Sequence, residues 1–498
     1  MAIIVASGCV VGVEGKIILV EVEIFNLLNK FIIVGLADTA IQEARERVQF
    51  AITNSGFYFT KRGIMVNLAP AQMRKDGTQL DLAIAVGVLR ATKQICIEDP
   101  THTIFLGELG LEGTVRAIPG VLAILIHAIS SGYKYAYIPE KNSQEASLIA
   151  DKVAVFSVAI LGELQSAQRV NKLNLIELSQ LAPCDINFAD IIGNSHAKRA
   201  LTIAASGGHN VLLIGPPGTG KSILAKAFAG ILPTLTEQEL LTIITIQSIS
   251  GKLIENTNDL KLLRPFCAPH HSASANAILG GGAIPKPGII TLSHLGVLFL
   301  DEFPEFHRDV LESLREPLEE NVITIARTQG SVTFPASFQL IAAMNPCPCG
   351  YSGDKEKQCS CSPYQKARYL KKVSGPILDR IDLFSYVPRI KHAEFHNYHA
   401  ALSSTLMQQK VQNAYQLQIT RQGKSNSKQK YTLATALQGL DLSSEVKNLA
   451  TSRDDISPRS LVRILRVSRT VADLAESKNV ELEHFQEAIN FRCPESLL

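Results

Sequence analysis

Residues 215 to 222 read Gly215-Pro216-Pro217-Gly218-Thr219-Gly220-Lys221-Ser222, a glycine-rich loop closed by a lysine and a serine. Lacking Cβ atoms, the glycines let successive backbone N–H groups turn toward one anion. Lys221 is placed to reach outer phosphates, and Ser222 carries a hydroxyl suited to Mg²⁺. The flanks say how the loop is held. Residues 210 to 214 (NVLLI) form a short apolar run that predicts a buried strand. Residues 223 to 230 (ILAKAFAG) predict a helix whose N-terminus faces the phosphates. Strand, loop and helix in this order predict a triphosphate site in an α/β core, against the blander reading of a glycine-rich surface turn.

A nucleotide site of this kind needs a second strand ending in acids. Residues 296 to 302 (GVLFLDE) supply it. Four apolar residues bury a parallel strand, and its carboxylates emerge at the C-terminal end, where α/β sheets bind ligands. Asp301 is expected to hold the Mg²⁺ shell, and Glu302 to orient and deprotonate an attacking water. Taken alone, the pair would read as an exposed acidic strand end. A third strand, residues 338 to 344 (FQLIAAM), delivers Asn345 to its end, where a neutral amide can hold the lytic water or sense the γ-phosphate. Without that context, Asn345 before Pro346 is a turn residue.

These pieces in this order resemble the AAA+ ATPases. Residues 264–271 (RPFCAPHH), 280–282 (GGG), 311–319 (LESLREPLE) and 375–383 (GPILDRIDL) are similar to the magnesium-chelatase-like branch, and within it to proteins of bacterial competence. The resemblance covers nearly the whole chain. It implies that residues 188–201 hold the adenine, with Ile192 and Gly193 in the cup. It also implies that Arg380 reaches the γ-phosphate of a neighbouring subunit, and that Arg459 is the second sensor. A guanidinium fork fits phosphate oxygens and neutralises charge there. The alternative for Arg380 is a local ion pair with Asp379 or Asp382. Arg463, Arg466 and Arg469 continue from Arg459 at helical spacing and read first as a solvated basic face. Cys267 stands where the family usually carries arginine, so no cationic role is carried over to it.

The resemblance divides the chain into an N-terminal α+β domain like that of Lon proteases (1–165), a linker (166–188), an AAA+ core with a parallel sheet (189–388) and a helical lid (389–498). In active proteases of the Lon fold a serine and a lysine act. The corresponding positions here are Gln79 and Leu122, neither of which is a nucleophile or a base, so proteolysis is excluded. Within the first domain, residues 17–24 and 63–68 predict strands, and 38–52 a helix capped by Asp38.

Function, as the resemblance implies it, is an ATP- and Mg²⁺-dependent motor on single-stranded or branched DNA. It would work as a hexameric ring promoting branch migration and integration in natural transformation. A chelatase-like or protein-remodelling ATPase is the alternative. Two elements match those that project into the ring pore in this branch: the glycine and proline loop 280–288, carrying Lys286, and a hairpin over 322–334, carrying Arg327 and Thr328. Both could instead pack at a subunit interface. The basic run 421–430 is expected to be structureless, as a phosphate contact or simply a solvated segment.

Composition fits this. The chain has 498 residues, 46% hydrophobic, and a net charge of only +3, so DNA contact must come from local patches. The longest apolar stretch, around 121–129, is too short to span a bilayer, and no secretory leader pattern opens the chain, which predicts a cytoplasmic protein. Nine cysteines are present. Cys347, Cys349, Cys359 and Cys361 cluster as two pairs, which suits one Zn²⁺ or four reduced, merely small residues.

Overall fold

The computed structural model describes residues 2–28, 30–35, 39–71, 77–173, 186–255, 263–282, 285–327, 330–354, 356–390, 403–453 and 456–494.

The first unit is built on an eight-stranded sheet in the order β10-β9-β8-β5-β1-β2-β4-β3. Strands β1 (Ile3–Val11) and β2 (Glu14–Leu28) form an antiparallel hairpin whose turn holds Gly12 at φ 66°. On one flank, β4 (Arg62–Ala69) pairs antiparallel with β2, and β3 (Phe31–Val34) lies parallel to β4. On the other flank β5 (Thr103–Phe105), β8 (Tyr135–Pro139) and β9 (Ala154–Val158) run parallel outward from β1, and β10 (Gln168–Arg169) closes the edge antiparallel. Strands β6 (Glu108–Leu109) and β7 (Val115–Arg116) form a separate short ribbon. Pairing thus reaches Arg169, past residue 165.

Period-two alternation explains the layering. Ile18, Val20 and Val22 point into a cluster with the helix Asp81–Ala91, whereas Ile17 and Leu19 point into one with the helix Val121–Ser130. Both faces of the sheet are therefore covered. Leu122 is fully buried in the second cluster. Asp38 lies outside the described residues.

The second cluster does not end with this unit. It takes in Leu240 and Ile244 of the helix Glu237–Ile249, and Gly120 N–H donates to Ser248 O at 3.1 Å. The first unit is fastened by shared core to the unit that carries the loop 215–222.

The second sheet is wholly parallel, in the order β12-β15-β18-β11-β19. Its strands are β11 (Val211–Ile214), β12 (Phe266–Cys267), β15 (Val297–Leu300), β18 (Gln339–Met344) and β19 (Leu383–Tyr386). Both β11 and β15 are buried at every residue, as runs of four apolar side chains require in a covered parallel sheet. Val211, Val297 and Ile341 face the helix Ser195–Gly207 and the C-terminal helices; Leu212, Leu298 and Leu340 face the other layer.

Two antiparallel ribbons leave this unit. Strands β13 (Gly280–Gly281) and β14 (Lys286–Pro287) pair where a loop is expected, and β16 (Val322–Arg327) pairs with β17 (Gly330–Pro335) as the expected hairpin. The C-terminal part is helical, with Ser404–Gln422 and Pro458–Leu474 packed on Ser195–Gly207. No helix among the described residues is long and apolar enough to cross a membrane.

Candidate functional site

Because β18 lies between β11 and β15, the C-terminal ends of three neighbouring strands open onto one place. From β11 comes the loop 215–222, from β15 come Asp301 and Glu302, and from β18 comes Asn345. Residues far apart in sequence meet there through strand order alone.

The loop has the conformation its glycines predict. Gly218 and Gly220 lie at φ 76° and 89°, a left-handed region that side chains disfavour. A Cβ on Gly215 would lie 2.2 Å from Val387 O, so the loop hugs the backbone that follows β19. The helix Lys221–Phe228 begins directly after Gly220 and turns its free N–H groups to the loop.

Lys221 is buried, and its Nζ donates to Gly215 O and Pro216 O at 2.8 Å and to Asn345 Oδ1 at 3.4 Å. All three partners are neutral oxygens. Burial lowers the ammonium below its ordinary pKa, with Asp301 opposing that shift. A buried cation in such company favours an anion beside it. Ser222 Oγ donates to Asp301 Oδ2 at 2.7 Å. That hydroxyl–carboxylate pair is the donor set a Mg²⁺ ion uses, with substrate phosphate oxygens completing the shell. The residues present therefore fit ATP with Mg²⁺.

Glu302 is exposed and sits at φ 52°, an unusual conformation for a residue with a Cβ. Its Oε2 lies 2.9 Å from His271 Nδ1, and the His271 ring lies tilted against that of His270 with centroids 4.1 Å apart. Sequence reading missed this contact. His271 was noticed only as part of a family motif, and nothing local links it to an acid at the end of another strand.

The segment expected to hold adenine adjoins the loop. Asn194 Nδ2 donates to Thr219 O at 3.4 Å, Gly193 lies at φ 65°, and Ile192 is half-buried. Lys198 Nζ donates to Phe188 O at 3.1 Å and also to Ile191 O, which closes the segment on itself.

Several charged residues differ from expectation. Asp379 and Asp382, offered as partners for Arg380, are taken by Arg463 and Arg466 at 3.1 and 3.2 Å. Arg380 instead donates to Glu319 and to Pro376 O. The basic stripe is thus no solvated face. Arg469 is fully buried, and it pairs with Asp473 at 3.0 Å while donating to Ser477 O and Lys478 O. The run 421–430 is not structureless either. Arg421 ends a helix and pairs with Asp473 at 2.7 Å, and Asn426 is buried against Thr470 and Asp473. Pairing across the fold consumed charges that looked free along the chain.

Of the pore candidates, Lys286 is exposed on β14. Arg327 ends β16, with only its backbone described, and Thr328 lies outside the described residues. The sulfurs of Cys347, Cys349, Cys359 and Cys361 all lie within 4.8 Å of one another.

Comparison with known proteins agrees with this architecture. Residues 187–395 match the family described as magnesium chelatase, subunit ChlI; residues 20–142 match subunit ChlI of Mg-chelatase, and 401–492 its C-terminal region. The chain is 39% identical to competence protein ComM of Haemophilus influenzae, over 99% of this chain and 98% of that protein. It is equally identical, over the same shares, to YifB of Salmonella typhimurium. A 28% likeness to the magnesium-chelatase 67 kDa subunit of Chlorobaculum parvum covers 32% of this chain and 23% of that one. The chain belongs to the ComM/YifB family of magnesium-chelatase-like AAA+ ATPases, a membership that implies ATP hydrolysis with Mg²⁺.

Proposed function

We propose that this protein is an ATP-driven motor that moves on single-stranded or branched DNA in the cytoplasm, as a hexameric ring promoting branch migration and DNA integration in natural transformation. The observation that carries the ATPase part is the convergence of Lys221, Ser222, Asp301 and Asn345 at the ends of three adjacent strands. Likeness along nearly the full length to a protein named for competence supports the DNA part.

The loop 215–222 and Lys221 bind the triphosphate, while Ile192 and Gly193 line the adenine. Ser222 and Asp301 would hold Mg²⁺, which would neutralise charge developing on the phosphates. Asn345 positions the water. Glu302 accepts its proton as the oxygen attacks γ-phosphorus and the bond to the leaving diphosphate breaks. Arg380 serves the site of the neighbouring subunit, and Arg459 acts as the second sensor. Lys286, Arg327 and Thr328 grip the phosphate backbone without reading bases.

In this reading the chain divides at about 165, 188 and 388. The first unit is Lon-like and non-proteolytic, since Leu122 is core and Gln79 is no nucleophile. Steady-state ATP hydrolysis with and without single-stranded or forked DNA tests the proposal: DNA stimulation and unwinding of a forked duplex are expected, and a rate indifferent to DNA overturns the motor. A chelatase-type remodeller is the second reading, favoured by the family descriptions, and it requires stimulation by a porphyrin-binding partner instead.

A further inference from the structure

Four thiols converge beside the nucleotide loop, outside its chemistry. Cys347 Sγ lies 3.4 Å from Cys349 Sγ and 3.7 Å from Cys359 Sγ, and Cys349 and Cys359 are 3.5 Å apart. A tetrahedron of thiolates with Zn–S bonds of about 2.3 Å has edges of about 3.8 Å. A disulfide would bring one pair to about 2.05 Å. The observed separations fit the tetrahedron, and these cysteines are all free. Two backbone N–H groups point at the sulfurs, Ser352 at Cys347 Sγ (3.3 Å) and Cys349 at Cys361 Sγ (3.4 Å). Such donors offset thiolate charge around a metal.

The surrounding chain is shaped for the purpose. Cys347 and Cys349 follow Asn345 at the end of β18; Cys359 and Cys361 precede the helix Pro363–Leu370, fixed by a capping box between Ser362 and Gln365. The loop joining the pairs is held from outside, by Asp354 paired with Arg389 at 2.9 Å and by Arg389 over the Tyr351 ring at 5.4 Å. At Gly350, φ 85°, the loop touches the nucleotide site. A Cβ there would lie 2.6 Å from Pro217 Cδ and 3.9 Å from Asn345 Cγ.

We propose that Cys347, Cys349, Cys359 and Cys361 bind one Zn²⁺ in a closed tetrathiolate site that holds Asn345 and Gly350 against the phosphate-binding loop. Binding displaces the thiol protons to solvent and leaves no open coordination position, so the metal braces and does not catalyse. The metal site stands independently; its effect on nucleotide rests on the proposed ATP reading.

The test uses the full chain purified without chelator. Elemental analysis should find about one zinc per chain, and Co²⁺ exchanged into the protein should show thiolate charge-transfer and tetrahedral d–d bands. Replacing both Cys347→Ser and Cys359→Ser should remove the metal, whereas Cys96→Ser, at an exposed cysteine, should keep it. If the double variant does not fold, a mercurial titration of the native chain should release the zinc as the four thiols are modified. Stripping the metal should weaken binding of a fluorescent ATP analogue roughly tenfold. A chain that takes up neither Zn²⁺ nor Co²⁺, or a double variant that retains the metal, overturns the site. Unchanged affinity after stripping overturns the brace alone. A zinc-loaded wild type that binds no nucleotide instead strikes the ATP reading and leaves the metal count intact.

Discussion

Arg380 and Arg459 donate to the same atom, Glu319 Oε1, Arg459 from 3.1 Å. Arg459 also lies 4.0 Å from Asp379, next to Arg380 in the chain. The two guanidiniums are therefore gathered on one carboxylate. In the proposed ring, the two cations sharing Glu319 would meet a phosphate group of a second subunit.

Arg380→Ala should lower ATP turnover roughly 10³-fold with little loss of nucleotide affinity. In mixtures with wild type it should inhibit more than in proportion to its fraction. Hydrolysis measured across mixing ratios checks this, and a straight line would remove Arg380 from the neighbour's site.

Lys221→Ala should lose ATP binding, measured with a fluorescent analogue. Glu302→Gln should bind ATP and turn it over at least about a hundredfold more slowly. His271→Ala should share the turnover defect in milder form, because His271 holds Glu302 in place at 2.9 Å. Equal turnover in His271→Ala and wild type would make that contact incidental.

The lid arginines predict stability effects, not ligand effects. Asp382 is buried between Arg466 and His209, whose Nδ1 is 3.5 Å away. Burial pushes its carboxyl up, but the nearby His209 imidazole, the Arg466 charge and the Asn210 N–H together bring it down to about 2. Arg466→Met would leave that carboxylate short of its cation and should cost about 3–5 kcal/mol by chemical denaturation. ATP affinity of the folded fraction should not change.

Acid sensitivity should trace in part to His294. Burial, with the Lys428 charge nearby, lowers its imidazole to about 4, and Ser337 N–H donates to Nδ1 at 3.0 Å. The unfolded chain binds this proton near pH 6.5 and the folded chain resists it, so stability falls as pH drops from about 6.5 toward 4. At pH 5 the loss is about 2 kcal/mol. His294→Asn keeps an acceptor for Ser337 and should flatten the melting temperature between pH 7 and 5 relative to wild type.

What the sequence made legible was whatever is local along the chain. The loop 215–222, the acids at 301 and 302, and Asn345 each sit at the end of an apolar run, and a strand end is a position that a short window specifies. The hairpin at 322–335 was readable for the same reason. Contacts made by strand order and helix docking were not. His271 meets Glu302 only because β12 and β15 are neighbours, and Arg463 and Arg466 find Asp379 and Asp382 only because their helix docks beside the nucleotide-binding sheet. A charge stripe looks the same in sequence whether water or carboxylates will face it.

Leu240 and Ile244 sit in a hydrophobic cluster whose other buried members all come from the first unit, the helix Val121–Ser130 among them. A fragment starting near residue 186 would present those side chains to water and strip Ser248 of its link to Gly120. Any displacement of the helix Glu237–Ile249 would have to carry its first-unit neighbours along or open the cluster they share.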